Sequence, residues 1–243
     1  VDLFRRGGLI ARSTTFEVSR PYSDKGAKRQ FVKQLDSRGV SVVFDVGANS
    51  GQYATELRMA AYMGRIISFE PLSGPFALLE RNSSKDPLWD CRRCALGEVD
   101  GTISINVAGN AGASSSVLPM LKSHQDAFPP ANYVGTEEVP MHRLDTVAND
   151  LLQPADKLFL KIDVQGFEKQ VIAGAQETVS DRCVGMQIEL SLLPLYEGGM
   201  LIREALDVVY SLGFTLTGLL PGFTDPRDGR MLQADGIFFR EGS

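Results

Sequence analysis

With 243 residues, 43% of them hydrophobic, the chain can bury a full core without disulfides or a structural metal. A formal net charge of −5 argues against a general nucleic-acid binder, which needs a concentrated basic face, and three cysteines are too few for a disulfide scaffold. No apolar run reaches bilayer-spanning length and the first residues lack an apolar secretory core, so the expectation is a cytoplasmic protein.

Residues 1–40 read as an N-terminal helical segment whose Arg and Lys side chains form a solvated face. From residue 41 onward, apolar strands alternate with helical patterns, which is the signature of a doubly wound α/β sheet. The first predicted strand, Ser41 to Val46, breaks into the loop Gly47-Ala48-Asn49-Ser50-Gly51. Gly47 and Gly51 let the backbone approach a ligand, Asp45 puts a carboxylate at the strand tip, and the next helix starts with unpaired N–H groups. A dinucleotide fingerprint would need glycine where Asn49 and Gln52 stand. An acidic residue before the first glycine instead suits a cofactor with a cationic amino-acid end and no phosphate, such as S-adenosylmethionine. Helix Gln52 to Met63 keeps Tyr53, Leu57 and Ala61 on one core-facing stripe. Strand Arg65 to Phe69 then delivers Glu70, placed to take two ribose hydroxyls.

Trp89 to Ala95 reads as a strand, on which Cys91 and Cys94 point to opposite faces and behave as reduced structural thiols. Residues 101–140 depart from simple alternation. Thr102 to Val107 reads as an added hairpin arm, followed by glycines, serines and an apolar group from Val117 to Phe128, a composition suited to a water-excluding flap or to a surface loop with its own small core. Strands Lys157 to Asp163, Val184 to Leu190, Phe214 to Leu219 and Gly236 to Arg240 complete the sheet, and a helix with Leu201, Ala205, Val208 and Leu212 on one face lies among them.

Lys161 and Asp163 share a face at the carboxyl end of the fourth strand, Glu168 opens the following helix, and Glu189 ends the neighbouring strand. Ligands bind outside such strand ends. A proton acceptor is sought as Asp163, then His142, then Glu189, with Lys161 and Glu168 orienting them. The competing reading is an ion pair from Lys161 to a carboxylate that merely holds the strand ends. Asp163, Glu189 and a third oxygen could hold magnesium, but no spacing demands a metal and none is assigned.

The ordered blocks FDVGANSGQYA, ISFEP, CALGEVDG, HRLDT, LKIDVQGFE and QIELSLLPLYEG, over roughly residues 40 to 240, resemble the FkbM-like branch of class I S-adenosylmethionine-dependent methyltransferases. The resemblance implies a Rossmann-like sheet of order 3-2-1-4-5-7-6 with an antiparallel seventh strand, formed by a methyltransferase domain over residues 41–243. It also implies a hydroxyl acceptor, most often on a sugar of a glycolipid or natural product. Carried over motif by motif, Asp45, Gly47, Asn49 and Gly51 would serve the amino-acid end of S-adenosylmethionine, Glu70 its ribose, and Ala95 and Leu96 its adenine. Gln165 stands where the family usually has Glu. A lipid-linked acceptor would bring the protein to a membrane periphery, and the flap or N-terminal segment offers a homodimer surface. A nucleotide-dependent oxidoreductase and a catalytically silent cofactor-binding scaffold are the alternatives.

Overall fold

The computed structural model describes residues 24–241; residues 1–23 of the expected N-terminal segment lie outside that range. The main sheet is built from apolar runs interrupted at Gly and Pro turns. In chain order the elements are α1 (Asp24–Ser37), β1 (Val42–Val46), α2 (Gln52–Met59), β2 (Arg65–Phe69), α3 (Ser73–Ser83), β3 (Trp89–Arg92), β4 (Ala95–Leu96), β5 (Gly101–Ala108) and α4 (Lys122–Ala127). A short 3-10 turn, Pro129–Ala131, leads to β6 (Tyr133–His142), α5 (Leu144–Leu151), β7 (Leu158–Ile162), α6 (Glu168–Ala173), α7 (Gln176–Arg182), β8 (Cys183–Ser191), α8 (Ile202–Ser211), β9 (Phe214–Pro221) and β10 (Gln233–Arg240).

Seven strands form one sheet in the order β3-β2-β1-β7-β8-β10-β9. The sheet is parallel except for β10, which runs antiparallel to both β8 and β9. Numbered within the sheet, this is 3-2-1-4-5-7-6, the order that the resemblance implies. All five residues of β1 and of β7 are buried, as expected of central parallel strands covered on both faces. Alternation sends Val42, Phe44 and Val46 into one apolar layer with Leu144, Val171 and Val209, while Val43 joins Phe31, Leu35, Phe159 and Phe239 in the other. Asp45 and Lys161 point toward that second layer, so a polar seam runs through an apolar face.

Three expectations need correction. The strand predicted over Trp89 to Ala95 is two strands: the chain leaves the main sheet after Arg92, and Ala95 and Leu96 pair with Met141 and His142 in a three-stranded sheet β4-β6-β5. The move buries Cys94 and Ala95, whereas Cys91 stays half-buried with its Sγ 3.4 Å from Ser83 Oγ; all three cysteines are free. The second helix stops at Met59 instead of Met63, because Ala61 adopts φ +72° and Arg58 caps the turn by donating to the carbonyls of Tyr62 and Gly64, each at 2.8 Å. Ala61 is therefore exposed, and the buried aromatic there is Tyr62. Finally, β10 begins at Gln233 rather than Gly236, which brings two more polar side chains into the sheet.

The 101–140 region folds as the β5–β6 hairpin with a meander between its arms. Met120, Ala127 and Ala131 of the meander form a satellite core with Leu195, Tyr196 and Leu232, and bridges at Asn106–Ser116 and Met120–Tyr196 fasten it over the carboxyl ends of the main strands. No helix among the described residues is long and apolar enough to cross a membrane.

Candidate active site

The β1–α2 loop is shaped first by protein packing. Gly47 has φ +77°, and a Cβ there would lie 1.8 Å from the carbonyl oxygen of Asp163, so no larger residue allows β1 and β7 to end side by side. At Gly51, with φ +89°, a Cβ would lie 2.6 Å from the Trp89 ring. Gly51 thus supports α2 against the core and does not line the cleft described below. Asn49, at φ +48°, donates its backbone N–H to Glu70 Oε2 at 2.8 Å, while Leu72 N–H reaches Oε1 at 2.9 Å. Glu70 is buried. Burial pushes its carboxyl up to about 7, against the pull of the two N–H groups that hold it in place.

Lys161 organises the next strand ends. Its ammonium stands 3.0 Å from Asp45 Oδ1 and 3.5 Å from Asp163 Oδ2, and donates to Gly47 O at 3.1 Å. Burial alone would make this amine less basic, but the carboxylates of Asp45 and Asp163 more than reverse it and hold the lysine protonated. Asp45 is fully buried and takes a further hydrogen bond from Ser68 Oγ at 3.3 Å. It lies beneath the loop and is not part of the cleft wall.

Strand register places Asp163, Glu189 and Asp235 at one level across β7, β8 and β10: Ile162 pairs with Ile188, and Glu189 pairs with Asp235. Three carboxylates in a row repel one another unless donors intervene. Gln165 supplies them, with Nε2 donating to Asp163 Oδ1 at 2.8 Å and to Glu189 Oε2 at 2.9 Å. Gln233 Nε2 adds a bond to Glu189 Oε2 at 2.6 Å. Residue 165 has φ +56° and is held by Tyr196, whose hydroxyl donates to Gln165 Oε1 at 2.7 Å, and by Ser116 Oγ, which donates to its carbonyl at 2.7 Å. An amide at this position does what a carboxylate could not do while ionised, bridging two carboxylates as a donor. Burial, reinforced by Asp163 and Glu168, pushes the Glu189 carboxyl well up. Glu168 is buried and accepts the N–H groups of Gly166 and Val164 at 3.0 and 3.2 Å; burial raises it to about 7. It fastens the 163–167 turn and is also absent from the cleft wall.

These strand ends open into a cleft of about 790 Å³, within the size range of small-ligand sites. One half is walled by Gly47, Asn49, Glu70, Leu72, Ala95, Leu96 and Phe167; the other by Tyr53, Lys161, Asp163, Gln187, Asp235 and residues 217–221 of β9. Of the residues the sequence points to, Gly47, Asn49, Glu70, Ala95, Leu96, Lys161 and Asp163 meet there. Glu189 lies behind Gln165. His142 does not reach the cleft: it is exposed at the end of β6, with Nδ1 3.3 Å from Asp100 Oδ1. Tyr53, expected in a core stripe, does pack against the second apolar layer, and it also lines the cleft and donates its hydroxyl to Gln187 Oε1 at 3.1 Å. Asp235 escapes the sequence reading because the predicted strand starts three residues late, at Gly236 instead of Gln233; the alternation Gln233, Asp235, Ile237, Phe239 would have revealed it. Among the described residues, no group of three or more His, Cys, Asp and Glu side chains is placed to hold a metal ion.

Residues 45–216 match the profile of the methyltransferase FkbM domain. The chain belongs to that family. As an FkbM methyltransferase it takes S-adenosylmethionine as cofactor. It is 27% identical over 212 residues to the 2-O-methyltransferase NoeI of Sinorhizobium fredii (strain NBRC 101917 / NGR234), a match covering 84% of each chain. Similar solved structures include the methyltransferase FkbM of Methylobacillus flagellatus KT, at 15% identity and TM-score 0.47, covering 81% of this chain. The chain spans 43% of that protein. Another is the magnesium protoporphyrin IX methyltransferase of Synechocystis PCC 6803, at 10% identity and TM-score 0.49, covering 89% of this chain and 79% of the other.

Proposed function

We propose that this FkbM methyltransferase transfers the methyl group of S-adenosylmethionine to a hydroxyl of a sugar, carried by a glycolipid or a glycosylated natural product. The observation that carries this reading is the division of one cleft into two chemically different halves. The cofactor supplies an electrophilic methyl on a sulfonium whose departure leaves a neutral thioether. At the β1–β2 end, Glu70 keeps acceptor capacity on two fixed oxygens, which suits a pair of ribose hydroxyls, and Leu72, Ala95, Leu96 and Phe167 form an apolar slot for a flat base. Gly47 and Asn49 face the amino-acid end, while buried Asp45 acts at one remove by fixing Lys161. The excess of carboxylate in the cleft suits a cationic ligand.

The half around β8, β9 and β10 offers Tyr53, Gln187, Thr217 and two carboxylates, a set of hydrogen-bonding groups appropriate to a polyhydroxylated acceptor. Its lining cations, Lys28 and Lys161, are both engaged, with Glu56 at 2.7 Å and with Asp45 and Asp163. That arrangement favours a neutral acceptor over a phosphate. The β5–β6 hairpin and its meander serve as the roof that keeps water out. The relative NoeI is named a 2-O-methyltransferase, which supports oxygen as the methylated atom.

Calorimetric titration with S-adenosylmethionine and S-adenosylhomocysteine, with NAD and NADP as controls, is the first test: the sulfur ligands bind and the nicotinamides do not. A panel of methyl glycosides is then assayed for S-adenosylhomocysteine release. Binding of NAD in place of the sulfur ligands would overturn the cofactor assignment, and methylation confined to non-sugar hydroxyls would overturn the sugar.

A further inference from the structure

We propose that Asp235 is the general base that takes the proton from the acceptor hydroxyl, and that Asp163 orients that hydroxyl instead of deprotonating it. The inference rests on the hydroxyl-methylating function proposed above and assigns its base. Three carboxylates share one level of the sheet, and they differ in how far their charge is already engaged. Asp163 has the Lys161 ammonium at 3.5 Å and the Gln165 amide at 2.8 Å. Glu189 receives two amide donors on one oxygen and lies outside the cleft wall. Asp235 lines the cleft with one amide partner, Gln187, which shares its own oxygen with Tyr53. A carboxylate in direct contact with a cation is a poor proton acceptor, whereas one whose contact is a neutral amide, with carboxylates nearby in a partly buried cleft, is a good one.

The placement agrees. With Glu70 on β2 and the apolar slot beside it, the methyl donor occupies the β1–β2 end of the cleft, and its reactive end must point along the row toward β7, β8 and β10. Asp235 lies at the far end of that row, with room for an acceptor oxygen between donor and base. The charged or titratable groups around it are Asp163 and Lys161 of β7, Glu189 of β8, and Tyr53 and Glu56 of α2, with Lys28 of α1 paired to Glu56; the facing stretch of β9 is uncharged. Burial first, and the charge of Asp163 next, raise the Asp235 carboxyl to about 6. It is thus ionised at neutral pH yet far more basic than a free aspartate. In the step, the acceptor oxygen bonds the methyl carbon as the carbon–sulfur bond breaks. Sulfur keeps the bonding pair, and the hydroxyl proton ends on an Asp235 oxygen, from which it leaves to solvent.

The test combines kinetics with an acceptor-independent titration. With the best methyl glycoside of the panel, Asp235→Asn should lower kcat by about 100-fold or more while KM stays within about threefold and S-adenosylhomocysteine affinity within about twofold. The acidic limb of the wild-type kcat/KM profile, inflecting near pH 6, should vanish. Asp163→Asn should keep that limb and lose under tenfold in kcat, about 1.4 kcal/mol at most. Asp235→Ser, with thermal melts on each variant, must reproduce the loss in folded protein. In parallel, protein loaded with S-adenosylhomocysteine and labelled with carboxyl-13C aspartate is titrated by NMR, the Asp235 signal being the one missing from Asp235→Asn; it should inflect near pH 6. Retention of kcat within about threefold in Asp235→Asn, or transfer of the lost limb to Asp163→Asn, would overturn the assignment. So would an inflection below about 4.5. If the wild-type protein methylates only non-sugar alcohols, the sugar reading fails, and the same comparison of Asp235→Asn with Asp163→Asn on such an alcohol decides for or against Asp235.

Discussion

Replacing Lys161 by Met removes the cation that sits between two carboxylates and leaves fully buried Asp45 with Ser68 as its remaining side-chain partner at 3.3 Å. At an effective dielectric of 20, a pair 3.0 Å apart is worth roughly 5 kcal/mol before desolvation. Breaking a buried pair by removing one partner typically costs about 3–5 kcal/mol, because the other charge is left uncompensated, and that is the loss expected here at pH 7.5. Adding Asp45→Asn to Lys161→Met removes the stranded charge and should restore at least half the loss at pH 7.5. Urea unfolding followed by the fluorescence of Trp89, the chain's one tryptophan, whose indole donates to Ser68 at 3.0 Å, measures all three variants. A loss under about 1 kcal/mol, or no recovery in the double variant, would refute the account of Lys161 as the buried counter-ion of Asp45.

Glu70→Ala should weaken S-adenosylhomocysteine binding by about 1–3 kcal/mol in calorimetry, since it removes the proposed ribose partner and releases the N–H groups of Asn49 and Leu72. Gly47→Ala should cost about 2–5 kcal/mol in urea unfolding and abolish measurable cofactor binding, because a positive φ and a backbone clash with Asp163 combine; a change under about 0.5 kcal/mol would show that the loop has room. His124 is buried between Tyr196 and Phe223, its Nδ1 without a hydrogen-bond partner, and burial lowers it to about 4. A histidine with a lowered folded pKa contributes stability above its unfolded value of about 6.5 that is lost as pH falls toward 4, roughly 2 kcal/mol by pH 5. In His124→Phe that part of the acid sensitivity should disappear, as read from unfolding midpoints at pH 7 and pH 5.

Local pattern was enough to find the alternating α/β plan, the glycine loop after β1, Glu70 at the tip of β2 and the Lys161–Asp163 pair at the end of β7, because each depends on residues close together in the chain. A strand's period and a turn's glycines are written in a few consecutive side chains. The hairpin arm over 102–107 was legible for the same reason. What the period could not show is which partner each strand takes. Ala95 and Leu96 look like the continuation of β3, yet they leave the sheet to pair with β6, which lies far along the chain. His142, attractive beside Arg143 and Asp145, turns to Asp100 because β6 belongs to that second sheet.

Asp45 reads as a ligand carboxylate at a strand tip, and packing makes it the buried anchor of Lys161. Gly51 reads as a ligand-approach glycine, and the Trp89 ring is what it admits. Asp235 falls just outside the predicted strand that opens at Gly236, and the antiparallel register of β10 sets it level with Glu189 and Asp163. The sequence by itself determined the kind of fold, the cofactor class and the presence of carboxylates at strand ends. Tertiary structure alone decided which carboxylates face the cleft, which are neutralised and which lie behind an amide, because charge is set by neighbours contributed from β1, β7, β8, β10 and the 114–116 turn, segments that meet only when the sheet is assembled.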